Sequence, residues 1–207
     1  NRAYRIFDIL QKQYPDARVL LTYNNPFELL VATLLAAQCT DERVNQVTPK
    51  LFERFPDPRS MSQADSRELE NIIKPTGFYR NKAKSLKKMA SGIAQTHGNE
   101  LPRDAQELSK LPGIGRKTAN VVVANCFDVP SIIVDTHVKR VSVRLGLSTS
   151  NNTDKIEKEL QEIIEYPDRT RFSYTLNFQG RYICRSQKPA CRECNVENLC
   201  SFQQKNL

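Results

Sequence analysis

The stretch Leu111-Pro112-Gly113-Ile114-Gly115-Arg116-Lys117 decides the fold class. One proline and two glycines between two helical patterns allow a hairpin that is too tight for most side chains. The backbone N–H groups after such a turn point outward at the start of the next helix, where they suit an anion. We therefore predict a helix–hairpin–helix unit whose Gly113, Ile114, Gly115 and Arg116 hold a DNA phosphate without reading sequence. The alternative is an ordinary connection between two helices.

Helical periodicity continues on both sides of this hairpin, and strand-like alternation is almost absent. The 207 residues suffice for one large domain or two small ones without disulfides. About ten helices are predicted, which indicates an all-α fold. One helix begins at Pro26 and is expected to end near Gln38. Another is expected to begin at Ser62 and to have Ile72 on its inner face.

The chain carries an excess of positive charge. It has 31 Lys and Arg against 23 Asp and Glu, a net charge of +8, and a pI of about 9.2. Such a surface attracts phosphate polyanions through counterion release, although a generic basic protein is the alternative. No long apolar run or basic amphipathic anchor is present, so no membrane partner is expected. Residues 1–5 lead into an amphipathic pattern rather than into a signal-peptide core.

Lys117 lies in the first turn of the helix that follows the hairpin. The plainer interpretation is one more lysine that binds phosphate. The second interpretation is a nucleophile, because an uncharged amine attacks a sugar carbon. The positive end of the helix and the neighbouring Arg116 both disfavour the ammonium form. Position and chemistry are therefore compatible with a nucleophilic lysine.

The segment Val134-Asp135-Thr136-His137 follows an apolar run and precedes an amphipathic helix. Asp135 is well placed as an N-cap, a role that contributes about 1 kcal/mol. An ionised carboxylate is also suited to stabilising positive charge on a sugar and to moving protons. His137 is the alternative acid or base, but a lone histidine at a helix start is more often structural.

Four cysteines crowd into the last stretch of the chain: Cys184, Cys191, Cys194 and Cys200. Their clustering predicts a metal site in a reducing compartment, whereas Cys39 and Cys126 are isolated. Zinc usually takes two paired C-x-x-C motifs, and generic ferredoxin spacing also differs, so zinc and a 4Fe–4S cluster both remain open. Arg185 and Lys188 in the first gap would offer cations to the DNA backbone.

These segments together resemble the endonuclease III family, in the family's order and over nearly the whole chain. The matching stretches are LLAAQCTDERVN at 34–45, TGFYRNKA at 76–83, LPGIGRKTANVV at 111–122, VDTHVKRV at 134–141, and the cysteine array. The resemblance implies a two-lobed all-α fold. A six-helix barrel would span 21–132, and residues 1–20 and 133–207 would form a discontinuous lobe that carries the cluster.

The resemblance also implies roles for individual residues. Lys117 falls on the family's catalytic lysine and Asp135 on its catalytic aspartate. The four clustered cysteines fall on its 4Fe–4S ligands, which favours iron–sulfur over zinc. Gln38 falls where the family fills the gap left by a flipped nucleotide. Phe78 lies where an apolar wedge, often leucine, parts the stacked bases, and phenylalanine keeps that apolar character but changes the local geometry.

The activity implied is that of a bifunctional DNA glycosylase and abasic-site lyase of base excision repair. Its partner would be double-stranded DNA with oxidised or ring-saturated pyrimidines or abasic sites. The enzyme would act as a monomer in the bacterial cytoplasm. The alternatives are a monofunctional mismatch glycosylase of the same superfamily, a non-catalytic DNA-binding module and an electron carrier.

Overall fold

The computed structural model describes residues 1–206, and all of its regular elements are helical. No strand occurs among these residues, so the all-α prediction is confirmed. The α-helices are α1 (Arg2–Gln13), α2 (Pro26–Leu35), α3 (Asp41–Arg54), α4 (Pro58–Ser62), α5 (Ser66–Ile73), α6 (Tyr79–Thr96), α7 (Ala105–Lys110), α8 (Arg116–Cys126), α9 (Thr136–Leu145), α10 (Thr153–Ile163) and α11 (Arg169–Tyr182). None of these helices combines the length and the hydropathy needed to cross a bilayer.

The chain divides into two compact units. Residues 20–129 form the central unit, which contains α2 to α8. Residues 1–19, together with the chain from Pro130 onward, form the terminal unit, which contains α1 and α9 to α11. The central unit is thus a continuous insertion between two separate parts of the terminal unit.

The core of the central unit is built around α2. Asn25 caps this helix by accepting a hydrogen bond from the Glu28 N–H, and Pro26 occupies its first turn. The helix is apolar on nearly every side, so it packs against α3, α6 and α8 at once. Four consecutive side chains, Leu29 to Ala32, are fully buried. Burying a leucine or valine of this kind contributes about 1.5–3 kcal/mol.

The helix α2 ends at Leu35, and the expectation that it continues to about Gln38 is wrong. The Ala37 N–H donates to the Leu34 carbonyl, a tighter turn that closes the last part of the helix. Gln38 then adopts a left-handed backbone with φ of 55°. A residue in that region cannot continue a right-handed helix, which explains the early end.

The expected helix start at Ser62 is also wrong, because Ser62 ends α4. Asp57 and Asp65 cap α4 and α5, and each carboxylate accepts a hydrogen bond from the N–H three residues later. The two caps divide one apparent amphipathic segment into two helices. Ile72 is only partly buried, whereas Ile73 is fully buried in the core of the unit.

In the terminal unit, Arg2 joins both ends of the chain to α9. Its guanidinium donates hydrogen bonds of 2.7–2.8 Å to the carbonyls of Leu145, Gly146 and Leu199. The carbonyls at the end of a helix lack partners within the helix, so a cation there is favourable. The first helix therefore fastens the end of α9 to the cysteine-rich segment.

Candidate active site

The hairpin between α7 and α8 is closed by its own backbone. The Ile114 N–H donates to the Leu111 carbonyl over 3.1 Å, and Gly113 has a φ of +82° that favours glycine. Gly115 is the N-cap of α8 and has no side chain to bond the first-turn N–H groups. The start of α8 is therefore without a side-chain cap, which is the arrangement that suits a bound anion.

The residues of the hairpin differ in exposure. Gly113, Gly115 and Arg116 are exposed, as expected for contacts with DNA. Ile114 is only 5% exposed, and its N–H is used inside the turn. Its side chain therefore anchors the hairpin to the core of the central unit and does not present itself to a ligand. Lys117 is exposed in the first turn of α8, beside Arg116.

Asp135 is the N-cap of α9 and is held through both carboxylate oxygens. Oδ1 accepts hydrogen bonds from the N–H groups of His137 (2.9 Å) and Val138 (2.8 Å). Oδ2 accepts a hydrogen bond of 2.6 Å from the side-chain amide of Asn177 on α11. The capping role considered from the sequence is thus present, and the half-buried carboxylate also has a partner that capping does not require.

Asn177 is a residue that sequence reasoning missed. Its carbonyl oxygen accepts a hydrogen bond of 2.9 Å from Arg181 Nε, one turn further along α11. This contact fixes which end of the amide faces Asp135, because the oxygen is engaged by the guanidinium. The only available signal was the i, i+4 spacing of an amide and an arginine, which occurs on many helices.

The close approach of α9 and α11 makes this contact possible. A Cβ added at Gly180 would lie 2.8 Å from His137 Cβ, so only glycine fits at this crossing. The ring Nδ1 of His137 lies 3.2 Å from a guanidinium nitrogen of Arg140, which in turn donates to the Gly180 carbonyl. His137 is therefore part of the packing between the two helices, in agreement with its structural interpretation.

Gln38 and Phe78, the two residues predicted to enter the DNA stack, share an unusual backbone. Their φ angles are 55° and 47°, in the left-handed region that non-glycine residues rarely adopt. Both side chains are exposed, and Phe78 is 64% exposed. Both line one open groove in the central unit, together with Gly113 of the hairpin. Strained residues of this kind cluster at functional sites.

The four clustered cysteines line a single cavity in the terminal unit. All four are free thiols and partly buried. Burial raises the pKa of the Cys194 and Cys200 thiols. Gln179 Nε2 donates to Cys194 Sγ over 3.2 Å, and Arg144 donates to Cys184 Sγ over 3.5 Å.

Within residues 1–206, no three or more His, Cys, Asp or Glu side chains converge as they would around one metal ion. A 4Fe–4S cluster takes four cysteine thiolates as its ligands. Four free thiols around one cavity, with N–H donors directed at two of the sulfurs, fit such a cluster.

The loop between the first two cysteines presents the predicted basic residues to solvent. Arg185 and Lys188 are both exposed, and Lys188 has a φ of 46°. Arg144 donates to the carbonyls of Arg185 (2.7 Å) and Ser186 (3.0 Å), which ties this loop to α9. The contact of Arg185 and Lys188 with DNA stays a prediction.

Comparison with known proteins identifies the family. Residues 31–166 match the model of the HhH-GPD superfamily of base excision DNA repair proteins. Endonuclease III of Synechocystis sp. is 47% identical over 205 residues, which cover 99% of this chain and 94% of that one. This chain belongs to the endonuclease III family. The family's enzyme from Escherichia coli K12 is 36% identical over 207 residues, which cover 99% and 98% of the two chains.

Comparison with solved structures agrees with this assignment. A trapped covalent endonuclease III–DNA intermediate superposes with a TM-score of 0.92 at 44% identity, covering 96% of this chain and 93% of that chain. A thermostable thymine-DNA glycosylase, at 23% identity, has a TM-score of 0.87 over 97% and 95% of the two chains, which shows a shared fold alone. The predicted fold and the predicted enzyme class, a DNA N-glycosylase and abasic-site lyase, are confirmed.

Proposed function

We propose that this chain removes oxidised or ring-saturated pyrimidines from duplex DNA and then cuts the strand, with Lys117 as the nucleophile. The observation that supports this most is the exposed lysine placed directly after an uncapped, glycine-lined helix start. In this proposal the central unit is the family's six-helix barrel and the terminal unit is its cluster lobe. The enzyme acts as a monomer.

Lys117 and Asp135 carry the chemistry. The uncharged amine attacks C1′ of the damaged nucleotide, and the bond between C1′ and the base breaks. The C1′–O4′ bond of this adduct then breaks and O4′ takes up a proton, which opens the sugar ring and leaves a Schiff base between C1′ and the lysine nitrogen. Loss of a proton from C2′ expels the 3′ phosphate by β-elimination. Asp135 stabilises the positive charge that develops on the sugar and assists the proton transfers.

The DNA is held mainly through its backbone. The backbone N–H groups of the exposed residues Gly113 and Gly115, together with the guanidinium of Arg116, bind phosphate at the hairpin. Arg185 and Lys188 add cations from the cysteine loop. The damaged nucleotide leaves the stack, Gln38 fills the space that it vacates, and Phe78 keeps the neighbouring bases apart.

The four cysteines lining the cavity would hold a 4Fe–4S cluster. When bound, the cluster supplies a rigid cross-link of the 184–200 segment and takes no direct part in bond breaking. Gln179 and Arg144 donate to two of the sulfurs, as expected for residues that stabilise thiolate ligands. The exposed basic loop is thereby kept in one conformation.

The proposed function is tested with three duplexes that carry thymine glycol, an abasic site or a mispaired adenine. Each is incubated with and without borohydride. Strand cleavage and a covalent adduct on the first two duplexes are expected. Base removal from the adenine mispair without strand cleavage or adduct would instead indicate a monofunctional mismatch glycosylase. DNA binding with no turnover on any lesion would indicate a binding module.

A further inference from the structure

A buried lysine lies beneath the two segments that carry Gln38 and Phe78. Lys82, in the second turn of α6, is only 6% exposed, whereas Lys84 and Lys88 of the same helix are exposed. Its ammonium donates hydrogen bonds to the carbonyls of Leu35 (2.8 Å) and Thr76 (2.7 Å). Burial lowers the pKa of Lys82, as expected for a cation removed from water.

The two acceptors are carbonyls at the ends of two different helices. Leu35 is the last residue of α2, and Thr76 is the last residue of the 3₁₀ turn Lys74–Thr76. Such carbonyls have no partner within their own helix, and a positive charge at a helix end is favourable. One ammonium group therefore joins two elements that are about forty residues apart in the sequence.

The residues that follow these two carbonyls include the two that are proposed to enter the DNA base stack. Gln38 lies three residues after Leu35, and Phe78 lies two residues after Thr76. Both have left-handed backbones, so each depends on its surroundings to keep that conformation. Gln38, Phe78 and Lys82 line the same groove. The ammonium is thus the shared anchor of both segments.

Burying a charged group costs free energy, because the group loses its hydration. An apolar side chain of similar length would occupy the volume without a desolvation cost, but it would leave both carbonyls without a donor. We propose that Lys82 is a positioning residue, whose ammonium fixes the distance between the Gln38 and Phe78 segments so that together they replace one extruded nucleotide. This inference rests on the proposed function, because it assumes that the substrate is a nucleotide flipped from duplex DNA.

The test compares duplex and single-stranded DNA, each carrying one abasic site. Gap filling and wedging matter only where a second strand and a base stack are present. Lys82→Met should therefore lower strand cleavage of the duplex by about ten-fold or more, while cleavage of the single strand stays within about two-fold. Lys88→Met is the matched control, because it removes the same charge from an exposed position of α6 and should spare both substrates.

A second comparison tests whether Lys82 acts through Phe78. Phe78→Ala removes the exposed ring itself, so duplex cleavage should fall in the same selective way. If Lys82 works by holding that segment, combining Lys82→Met with Phe78→Ala should lose less than the product of the two single losses. Should Lys82→Met not fold, Lys82→Arg keeps the charge but changes the length, and the ratio of duplex to single-strand cleavage should still fall by about three-fold or more.

The outcomes separate this inference from the proposed function. Equal losses on both substrates would show that Lys82 only supports the fold. Unchanged cleavage of both substrates would show that Lys82 neither supports the fold nor positions the two segments. Each of these results overturns the inference. A strictly multiplicative loss in the double variant would also contradict it. If the wild-type protein cleaves neither substrate and gives no borohydride adduct, the proposed function itself fails.

Discussion

Asn177 donates a hydrogen bond of 2.6 Å to Oδ2 of Asp135, while Oδ1 of the same carboxylate caps α9. The cap alone would fix the position of the side chain. The second contact fixes the direction of the oxygen that the cap does not use. Asp135 therefore resembles the carboxylate of a preorganised site more than a plain helix cap.

This arrangement predicts that charge and capping are separable at Asp135. Asp135→Asn keeps an acceptor for the α9 N–H groups but turns an NH₂ toward the Asn177 amide, so the free energy of unfolding should fall by only about 1–2 kcal/mol. The charge is lost, so base removal should slow by about 10²-fold or more in single-turnover assays.

The matched control is Asp104→Asn. Asp104 caps α7 through the same two backbone bonds, to the N–H groups two and three residues later. The Asp104→Asn substitution should leave both the free energy of unfolding and the rate of base removal nearly unchanged. A large loss of stability in Asp135→Asn with little change in rate would reduce Asp135 to a structural cap.

The hairpin predicts a difference between its two glycines. Gly113 has a φ of +82°, whereas Gly115 has an ordinary backbone and open space around its Cβ position. Gly113→Ala should lower the free energy of unfolding by about 1–3 kcal/mol, and Gly115→Ala should lower it by less than about 1 kcal/mol. Urea unfolding of both variants checks this. Equal effects would mean that the turn does not require the left-handed conformation at residue 113.

The cysteine cavity predicts which thiols hold iron. Cys194→Ser should abolish bound iron and sulfide, together with the visible absorption of a 4Fe–4S cluster, because oxygen is a poor substitute for a thiolate ligand. Cys126→Ser is the control, since Cys126 lies in the central unit and does not line the cavity. Iron content and absorbance after anaerobic purification measure both. A variant of Cys194 that keeps a full cluster would remove this residue from the ligand set.

The buried lysine predicts a pH dependence of stability with a definite sign. The pKa of Lys82 is lower in the folded chain than the ordinary value of 10.5. Just below pH 10.5 the unfolded chain therefore binds more protons than the folded chain, so the contribution of Lys82 to stability rises with pH. The free energy of unfolding of the wild type minus that of Lys82→Met should accordingly increase as the pH is raised from neutral toward 10.5. A difference that stays constant or shrinks would contradict the burial of a charged Lys82.

Local signals in the sequence sufficed for much of the fold. The cap at Asp135, the glycine-rich turn and the start of α2 at Pro26 each depend on a few neighbouring residues, so their positions could be predicted. The end of α2 and the division at Ser62 could not, because competing caps and turns within a few residues differ little in energy. The hydrophobic periodicity alone does not show which of these competing caps and turns is the most stable.

The catalytic candidates were predictable where a motif carried them, as at Lys117 and Asp135. Asn177 and Lys82 were not, because their roles depend on partners 42 and 47 residues away. On the sequence, Lys82 is one of several lysines in a basic helix. Only folding separates the one that is buried against two carbonyls from those that face water.

The central claim is that Lys117 becomes covalently joined to deoxyribose, and borohydride reduction on a duplex with one abasic site tests it most directly. The account predicts an adduct that peptide mapping assigns to Lys117. It also predicts no adduct from Lys117→Gln despite retained DNA binding, and an undiminished adduct from Lys110→Gln, an exposed lysine on the other side of the hairpin. An adduct that persists in Lys117→Gln, or that maps to another residue, would contradict it.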